Sequence, residues 1–98
     1  MNLFERLYDE QENVNVQFIG FTTESARYDF GIVYTNMFFG KPLVICMQTG
    51  RSTLICAEEA ENIDHVQKVF QIKCEDEASD LSLFFTKNLP TMSFDTQY

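Results

Sequence analysis

The sequence has 98 residues, a length that suits one domain, and 45% of them are hydrophobic, enough for a core that needs no metal or disulfide. Its 15 acidic and 7 basic residues give a net charge of −8, whereas phosphate backbones and anionic lipid surfaces attract clustered positive charge. We therefore expect no nucleic-acid and no membrane binding. No nucleotide or metal motif is present, so we expect no cofactor.

The compartment is indicated by the start of the chain and by its cysteines. The first residues lack the positive and then apolar pattern of a signal peptide, and no apolar run approaches the ~20 residues that span a bilayer. Cys46, Cys56 and Cys74 are odd in number and show no CxxC spacing, which favours free thiols in a reducing compartment. We expect a cytoplasmic protein.

A short amphipathic helix is the first predicted element, over residues 2–11. Leu3, Phe4 and Leu7 share one helical face, and acidic residues lie outside it. Such a helix is close to the shortest length that is stable in isolation.

Two strands are predicted between Val14 and Tyr34, where the apolar period becomes two. A change of phase near Phe18 and Ile19 indicates either a bulge or a strand buried on both faces. The second strand alternates cleanly, and the residues expected to share one of its faces are Tyr28, Phe30, Ile32 and Tyr34.

A third strand, 43–47, and a fourth, 52–57, are predicted on either side of a three-residue turn at 49–51. With that turn, Cys46 would lie opposite Leu54 on one face. The third strand is apolar at both parities, so both of its faces need to be covered.

The pattern then becomes helical, which predicts one helix over about 58–70 and a second over about 75–88, closed by Pro90. We therefore expect an α+β fold: a four-stranded antiparallel meander followed by two C-terminal helices, with a short N-terminal helix. Residues 1–90 would form the single domain and residues 91–98 a tail.

Three short segments, MNLFERLYDE, FFGK and MQTGR, resemble a family of small cytosolic proteins of unknown function from low-GC Gram-positive bacteria. The likeness covers residues 1–90. It implies a compact bacterial α+β protein and brings no catalytic residues with it.

Metal and catalytic sites find little support in the sequence. His65 is the only histidine and lies off the apolar stripe of its predicted helix. Its spacing from the three cysteines matches no usual zinc pattern. The acidic cluster at 75–77 lacks the features of a calcium-binding loop, and the helix dipole accounts for it. We expect that the protein is not an enzyme.

Two groups of residues remain as candidate sites. Arg27 and Arg51 should lie at the same end of the meander, with Gln48 and Ser52 nearby, and could hold an anionic group; the alternative is an ion pair with a neighbouring acid. At the opposite end, the loop Met37, Phe38 and Phe39 is either a lid folded onto the core or an exposed contact patch.

The hypothesis favoured by the sequence is a non-enzymatic protein-interaction or regulatory domain that acts as a homodimer. Two helices can cover one sheet face only, so the other needs the N-terminal helix or a second copy of the chain. The alternative is a small-ligand-binding module that holds an anionic group near Arg27 and Arg51.

Overall fold

A computed structural model describes residues 3–91 of the chain. It contains a four-stranded sheet followed by three helices, so the predicted α+β fold is confirmed. The elements are β1 (Asn15–Thr22), β2 (Arg27–Tyr34), β3 (Leu43–Cys46), β4 (Ser52–Leu54), α1 (Ala57–Ala60), α2 (Ile63–Phe70) and α3 (Glu75–Asn88), with a single 3-10 turn at Phe38–Gly40. The predicted tail after residue 91 lies outside the described residues.

The sheet is the predicted antiparallel meander in the order β1-β2-β3-β4. Its alternation divides the side chains between two faces, and the helices described within residues 3–91 cover one of them. On the covered face Phe30, Ile32, Val44 and Cys46 are fully buried. They pack against the apolar stripes of the helices, whose buried members include Val66, Phe70, Ala78, Leu81 and Phe85.

Aromatic rings connect the sheet to the helices. The Phe30 ring on β2 meets those of Phe70 on α2 and Phe85 on α3 edge-on, with centroids 5.3 Å apart in both pairs. Edge-to-face packing at this distance adds roughly 0.5–1.5 kcal/mol per pair to the burial of the rings. Phe30 therefore holds both long helices against one strand.

The predicted N-terminal helix is absent: residues 3–14 have no regular secondary structure. Leu3, Phe4 and Leu7 are 84%, 90% and 91% exposed. A helix of this length needs tertiary packing of its apolar face, because its own hydrogen bonds barely offset the free-energy cost of helix nucleation. The prediction was wrong because a helical period does not supply that packing.

The single helix predicted over 58–70 is two helices in the structure. Asn62 interrupts it and caps α2, with its side-chain oxygen accepting from the backbone N–H of His65 at 3.1 Å. Asparagine is a favoured N-cap residue because its side chain competes for backbone donors. The second predicted helix has the bounds of α3.

β1 has no bulge: its eight residues pair in unbroken register with β2, from Asn15 opposite Tyr34 to Thr22 opposite Arg27. The change of phase arises because both faces of β1 carry apolar residues. β1 also forms one edge of the sheet and contains no charged residue and no proline. The opposite edge, β4, is only three residues long, and two residues separate it from α1.

The register predicted for the β3–β4 hairpin was wrong by three positions. Leu43 lies opposite Leu54, and the backbone N–H of Cys46 donates to the carbonyl of Arg51 at 2.7 Å. The connection is one residue longer than predicted, which moves Leu54 to the face opposite Cys46. All three cysteines are free thiols, two of them buried and Cys74 exposed.

We expect Phe30→Ala to lower the free energy of unfolding by about 3–5 kcal/mol, since it removes a fully buried ring and leaves a cavity between the sheet and two helices. Urea unfolding followed by circular dichroism measures this change. Leu83→Ala on α3 is the matched control, because Leu83 is 55% exposed and should change the same quantity by less than about 0.5 kcal/mol. Equal losses for the two variants would contradict the assignment of the core.

Candidate interaction surface

The sheet face that the helices leave uncovered is apolar except for Thr22, Arg27, Asp29 and Ser52. We call it the open face. Its apolar residues follow from the strand register and belong to all four strands: Val16, Phe18, Gly31, Val33, Leu43, Ile45 and Leu54, extended by Val14 and Met47 next to strand ends. Exposure is greatest at Phe18, at 73%, followed by Met47 at 47% and Val16 at 45%. Apolar side chains in a continuous group of this kind usually mark a contact site.

Gly31 lies at the centre of the open face. A Cβ atom built on it would lie 2.9 Å from the Met47 methyl carbon and 3.4 Å from a Phe18 ring carbon. The thioether and the ring therefore close over the glycine from neighbouring strands. A side chain at position 31 would push them apart, so the glycine keeps this part of the face shallow and continuous.

The loop between β2 and β3 extends the open face at one end. Phe38 lines a shallow depression of about 370 Å³ together with residues of the sheet, among them Val33, Leu43 and Leu54. Phe39 is 88% exposed. The sequence left this loop either as a lid on the core or as an exposed patch. In the structure Phe39 is exposed, Phe38 is half-exposed and Met37 is partly buried.

The conformation of this loop is strained. Phe38 and Phe39 have φ angles of 54° and 63°, in the left-handed region that bulky residues rarely adopt. Each such residue costs of the order of 1–3 kcal/mol, and strain of this size is concentrated at functional sites. Both residues lie in the turn Phe38–Gly40, in which the Phe39 ring is exposed.

The segment before β1 approaches the same end of the sheet and is attached there by Glu12. Its carboxylate accepts from the Thr35 hydroxyl at 2.5 Å and from the backbone N–H of Asn36 at 2.8 Å. These hydrogen bonds hold the pKa of Glu12 below its ordinary value, the Thr35 bond being the larger cause. Residues 3–11, which we call the arm, lie beyond this attachment.

Arg27 and Gln48, two of the predicted anion ligands, share a carboxylate of the chain itself. Asp29 Oδ2 accepts from Gln48 Nε2 at 2.7 Å and from Arg27 Nε at 3.0 Å. The Gln48 bond and then the Arg27 pair lower the pKa of Asp29. Gly20 makes room for this group, because a Cβ there would lie 2.7 Å from Asp29 Oδ1. The alternative of a local ion pair is therefore the arrangement seen at Arg27.

Arg51 and Ser52 are not joined to this group. Both are exposed, and neither side chain has a hydrogen bond or ion pair within residues 3–91. The strand register gives Arg51 the parity of the helix-covered face, because it lies opposite Cys46, whereas Arg27 has the parity of the open face. A shared anion at the two guanidinium groups stays a prediction.

A small cleft of about 150 Å³ lies between the β1–β2 turn and α3. Its carboxylate, Glu77, accepts from the hydroxyls of Tyr28 at 2.7 Å, Thr23 at 2.9 Å and Ser25 at 3.4 Å. Sites for small molecules usually measure about 300–1,000 Å³. With its acceptor sites taken by three hydroxyls, Glu77 fastens the turn to the helix.

The remaining titratable groups form no metal-type cluster: among residues 3–91, no three His, Cys, Asp or Glu side chains converge. The His65 side chain makes no hydrogen bond or ion pair in this part of the chain. Within the same range, no helix combines the length and hydropathy needed to cross a bilayer.

Sequence reasoning missed Val16 and Phe18 as surface residues and Asp29 as the partner of two predicted ligands. The change of phase within β1 was the available signal for the first two, because apolar residues at both parities of an edge strand imply an apolar outer face. Asp29 could have been found from its position two residues after Arg27, on the same face of one strand.

We expect Glu77→Gln to lower stability at pH 7 and to matter less as the pH falls. The Tyr28 hydroxyl first, then that of Thr23, lowers the pKa of folded Glu77 from its ordinary 4.5. A group with a lowered folded-state pKa contributes stability above its unfolded value and loses that contribution as the pH falls through the folded value. The difference in unfolding free energy between the two proteins should therefore shrink below pH 4.5.

Urea titrations across that pH range measure the difference. Glu61→Gln is the control, because it removes the same charge from an exposed residue outside the cleft. If the difference in unfolding free energy between wild type and Glu77→Gln stayed constant below pH 4.5, the hydroxyls would not be binding the ionised carboxylate.

Comparison with known proteins identifies a family. The family model described as SAV0927-like matches residues 7–87, which include the whole sheet and nearly all of α3, and the chain belongs to this family. No match was found among curated proteins.

Proposed function

We propose that this SAV0927-like chain is a non-enzymatic protein-interaction or regulatory domain that acts as a homodimer through its open face. One observation carries the proposal. The sheet is apolar on both sides, and within residues 3–91 helices cover only one of them. The side left open includes Phe18 on the edge strand β1, which is 73% exposed.

The exposed apolar area has an energetic consequence. A large apolar side chain gains about 1.5–3 kcal/mol when it passes from water into a packed interface. In the single chain Phe18, Met47 and Val16 remain partly in water, so much of this burial free energy is not realised. A two-fold dimer covers the same patch on each copy, so each exposed residue contributes twice.

The charges of the sheet favour contact between two copies. The four strands contain only two charged residues, Arg27 and Asp29, and these pair with each other at 3.0 Å. Covering the open face in a dimer therefore buries no unpaired strand charge. The net charge of −8 lies mainly on the helices and the arm, where it opposes association only through longer-range repulsion.

Support for a non-enzymatic role comes from the state of the polar groups. Glu77 and Asp29 are saturated by neighbours of their own chain, and Glu59 pairs with Lys41 at 2.8 Å. Burial raises the pKa of the Cys56 thiol, which lowers the fraction of nucleophilic thiolate. Groups engaged in this way fix the fold and are poorly placed to act on a substrate.

The setting we propose is the cytoplasm of a low-GC Gram-positive bacterium. It is supported by the resemblance of the segments MNLFERLYDE, FFGK and MQTGR, and by three cysteines that are free thiols.

A second candidate is a module that holds an anionic group at Arg51, with Arg27 released from Asp29. It is favoured by the exposed Arg51 guanidinium, which has no side-chain partner among residues 3–91. Phosphate should then raise the melting temperature more than chloride at equal ionic strength, and Arg51→Ala should abolish the difference. An unchanged phosphate response in Arg51→Ala would exclude the site.

We expect the wild-type chain to have twice the single-chain mass of 11.4 kDa at micromolar concentration, as measured by light scattering after size exclusion. Phe18→Ser should weaken the dimer about tenfold or more, since it removes the most exposed residue of the open face. Leu83→Ser is the matched control, because Leu83 is 55% exposed on α3, away from that face. A monomer mass that persists on concentration would refute the homodimer.

The salt dependence of the dimer should be positive. Raising ionic strength from roughly 0.01 M to roughly 0.15 M shortens the Debye length from about 30 Å to about 8 Å. That change screens the repulsion between two chains of charge −8 and leaves apolar contacts in place. Sedimentation at both salt concentrations tests this, and a dimer that weakens with salt would point to ion pairs as its basis.

A further inference from the structure

The chain has a second unpartnered apolar surface besides the open face. It is the arm, residues 3–11, in which Leu3, Phe4 and Leu7 are 84–91% exposed and Tyr8 is 55% exposed. Within residues 3–91, the ion pair of Arg6 and Asp9 at 3.3 Å is the one side-chain interaction of its polar residues. Two apolar surfaces without partners in one small chain raise the question of whether they bind each other.

The sequence of the arm suits a sheet surface. Leu3, Phe4, Leu7 and Tyr8 follow the spacing that places side chains on one side of a helix, with the charged residues on the other. An isolated helix of this length is not stable in water, but a surface that accepts its apolar side can stabilise it. The open face is such a surface, since its strands carry only the neutralised pair of Arg27 and Asp29.

The attachment at Glu12 decides which copy the arm can reach. The carboxylate of Glu12 is bonded to Thr35 and Asn36 at the rim of the sheet, immediately before β1. To lie on its own open face, the arm would have to reverse direction between Tyr8 and Glu12. The structure shows no such reversal onto the sheet, because Leu3, Phe4 and Leu7 are 84%, 90% and 91% exposed.

We propose that two copies exchange arms, so that Leu3, Phe4 and Leu7 of each copy lie on the open face of the other as a short amphipathic helix. The inference rests on the proposed homodimer and names the segment that the partner contributes. Glu12 is the pivot from which each arm crosses to the second copy.

The dimensions of the arm fit this arrangement. Nine residues in a helix extend about 14 Å at 1.5 Å per residue, and four strands at about 4.8 Å spacing form a face of similar width. The four apolar side chains of the arm and the exposed ones of the open face, at roughly 100–200 Å² each, supply the ~800 Å² per partner of a standard interface. One arm per face is therefore enough for a stable dimer.

Cross-linking between defined positions tests the exchange. Cys74 is the exposed cysteine and is first replaced by serine, while Cys46 and Cys56 are buried. Leu7→Cys on one protein and Ile45→Cys on another are then mixed and treated with a short bismaleimide. A covalent species of both variants, of twice 11.4 kDa, is the expected product, because the two thiols meet only between copies.

Three other outcomes overturn the exchange in different ways. A double variant, Leu7→Cys with Ile45→Cys, that cross-links within one chain while the mixture gives no product would place the arm on its own sheet. A dimer mass without any cross-link would mean that open faces stack directly. Wild-type protein that stays monomeric at all concentrations would refute the proposed homodimer together with the exchange.

Removal of the apolar arm residues provides a second measurement. Phe4→Ser with Leu7→Ser should raise the dimer dissociation constant roughly a hundredfold, because two large side chains lose their contact. Gln11→Ser with Asn13→Ser is the matched control, changing two exposed polar residues of the same segment without effect. An unchanged dissociation constant in the first variant would overturn the exchange even if the dimer forms.

Discussion

The contact of Phe30 with Phe70 and Phe85 is the interaction on which the arrangement of this protein depends. It lies at the middle of β2, and its ring meets one ring from each of the two longer helices at 5.3 Å. Because both helices are held by the same side chain, they are confined to one side of the sheet. The other side is left to be covered by something else, and the open face, the strained Phe38–Gly40 turn and the attachment of Glu12 all lie on it or at its rim.

Polar side chains serve the fold throughout the described residues. Glu77 fastens the β1–β2 turn to α3, Glu59 joins Lys41 and the start of α1, and Asp29 ties β2 to the turn after β3. Each carboxylate thus connects segments that are distant in sequence. This leaves apolar surface as the main feature through which the domain could meet a partner, which is why the proposals concern contact between copies.

Regular patterns in the sequence predicted most of the fold. The alternation of apolar residues from Tyr28 to Tyr34 and the acidic residues at the start of α3 are local signals that tertiary packing reinforces. A strand was predicted where β2 lies, and α3 was predicted at its observed bounds. The break at Asn62 depends on one capping hydrogen bond, and the β3–β4 register depends on one extra residue in the turn. The period of the apolar residues contains no information about either. The arm was predicted as a helix because its pattern is amphipathic, although no surface within residues 3–91 covers its apolar side chains.

The candidate sites could be predicted only in part, for a physical reason. For the loop, the sequence left a lid and an exposed patch as alternatives, and Phe39 is exposed. For Arg27 it left an anion site and an ion pair with a local acid as alternatives, and the structure has the ion pair with Asp29. The open face was inferred from apolar residues at both parities of β3, but its most exposed member, Phe18, belongs to β1. Which side of a two-sided strand stays open depends on where the helices pack, and that is settled by contacts between residues far apart in the chain.

The edge strand β1 carries no charged residue, so the solubility of the protein depends on charges elsewhere in the chain. Most edge strands carry a lysine, a proline or a bulge that discourages another chain from adding to the sheet, and β1 has none of these over eight residues. A charge within β1 at Val16 or Phe18 would protect the edge but would also disrupt the open face. Colloidal stability therefore depends on the net charge of −8, and it disappears as the protein is acidified towards its isoelectric point of about 4.4, where chains that no longer repel one another can join edge to edge.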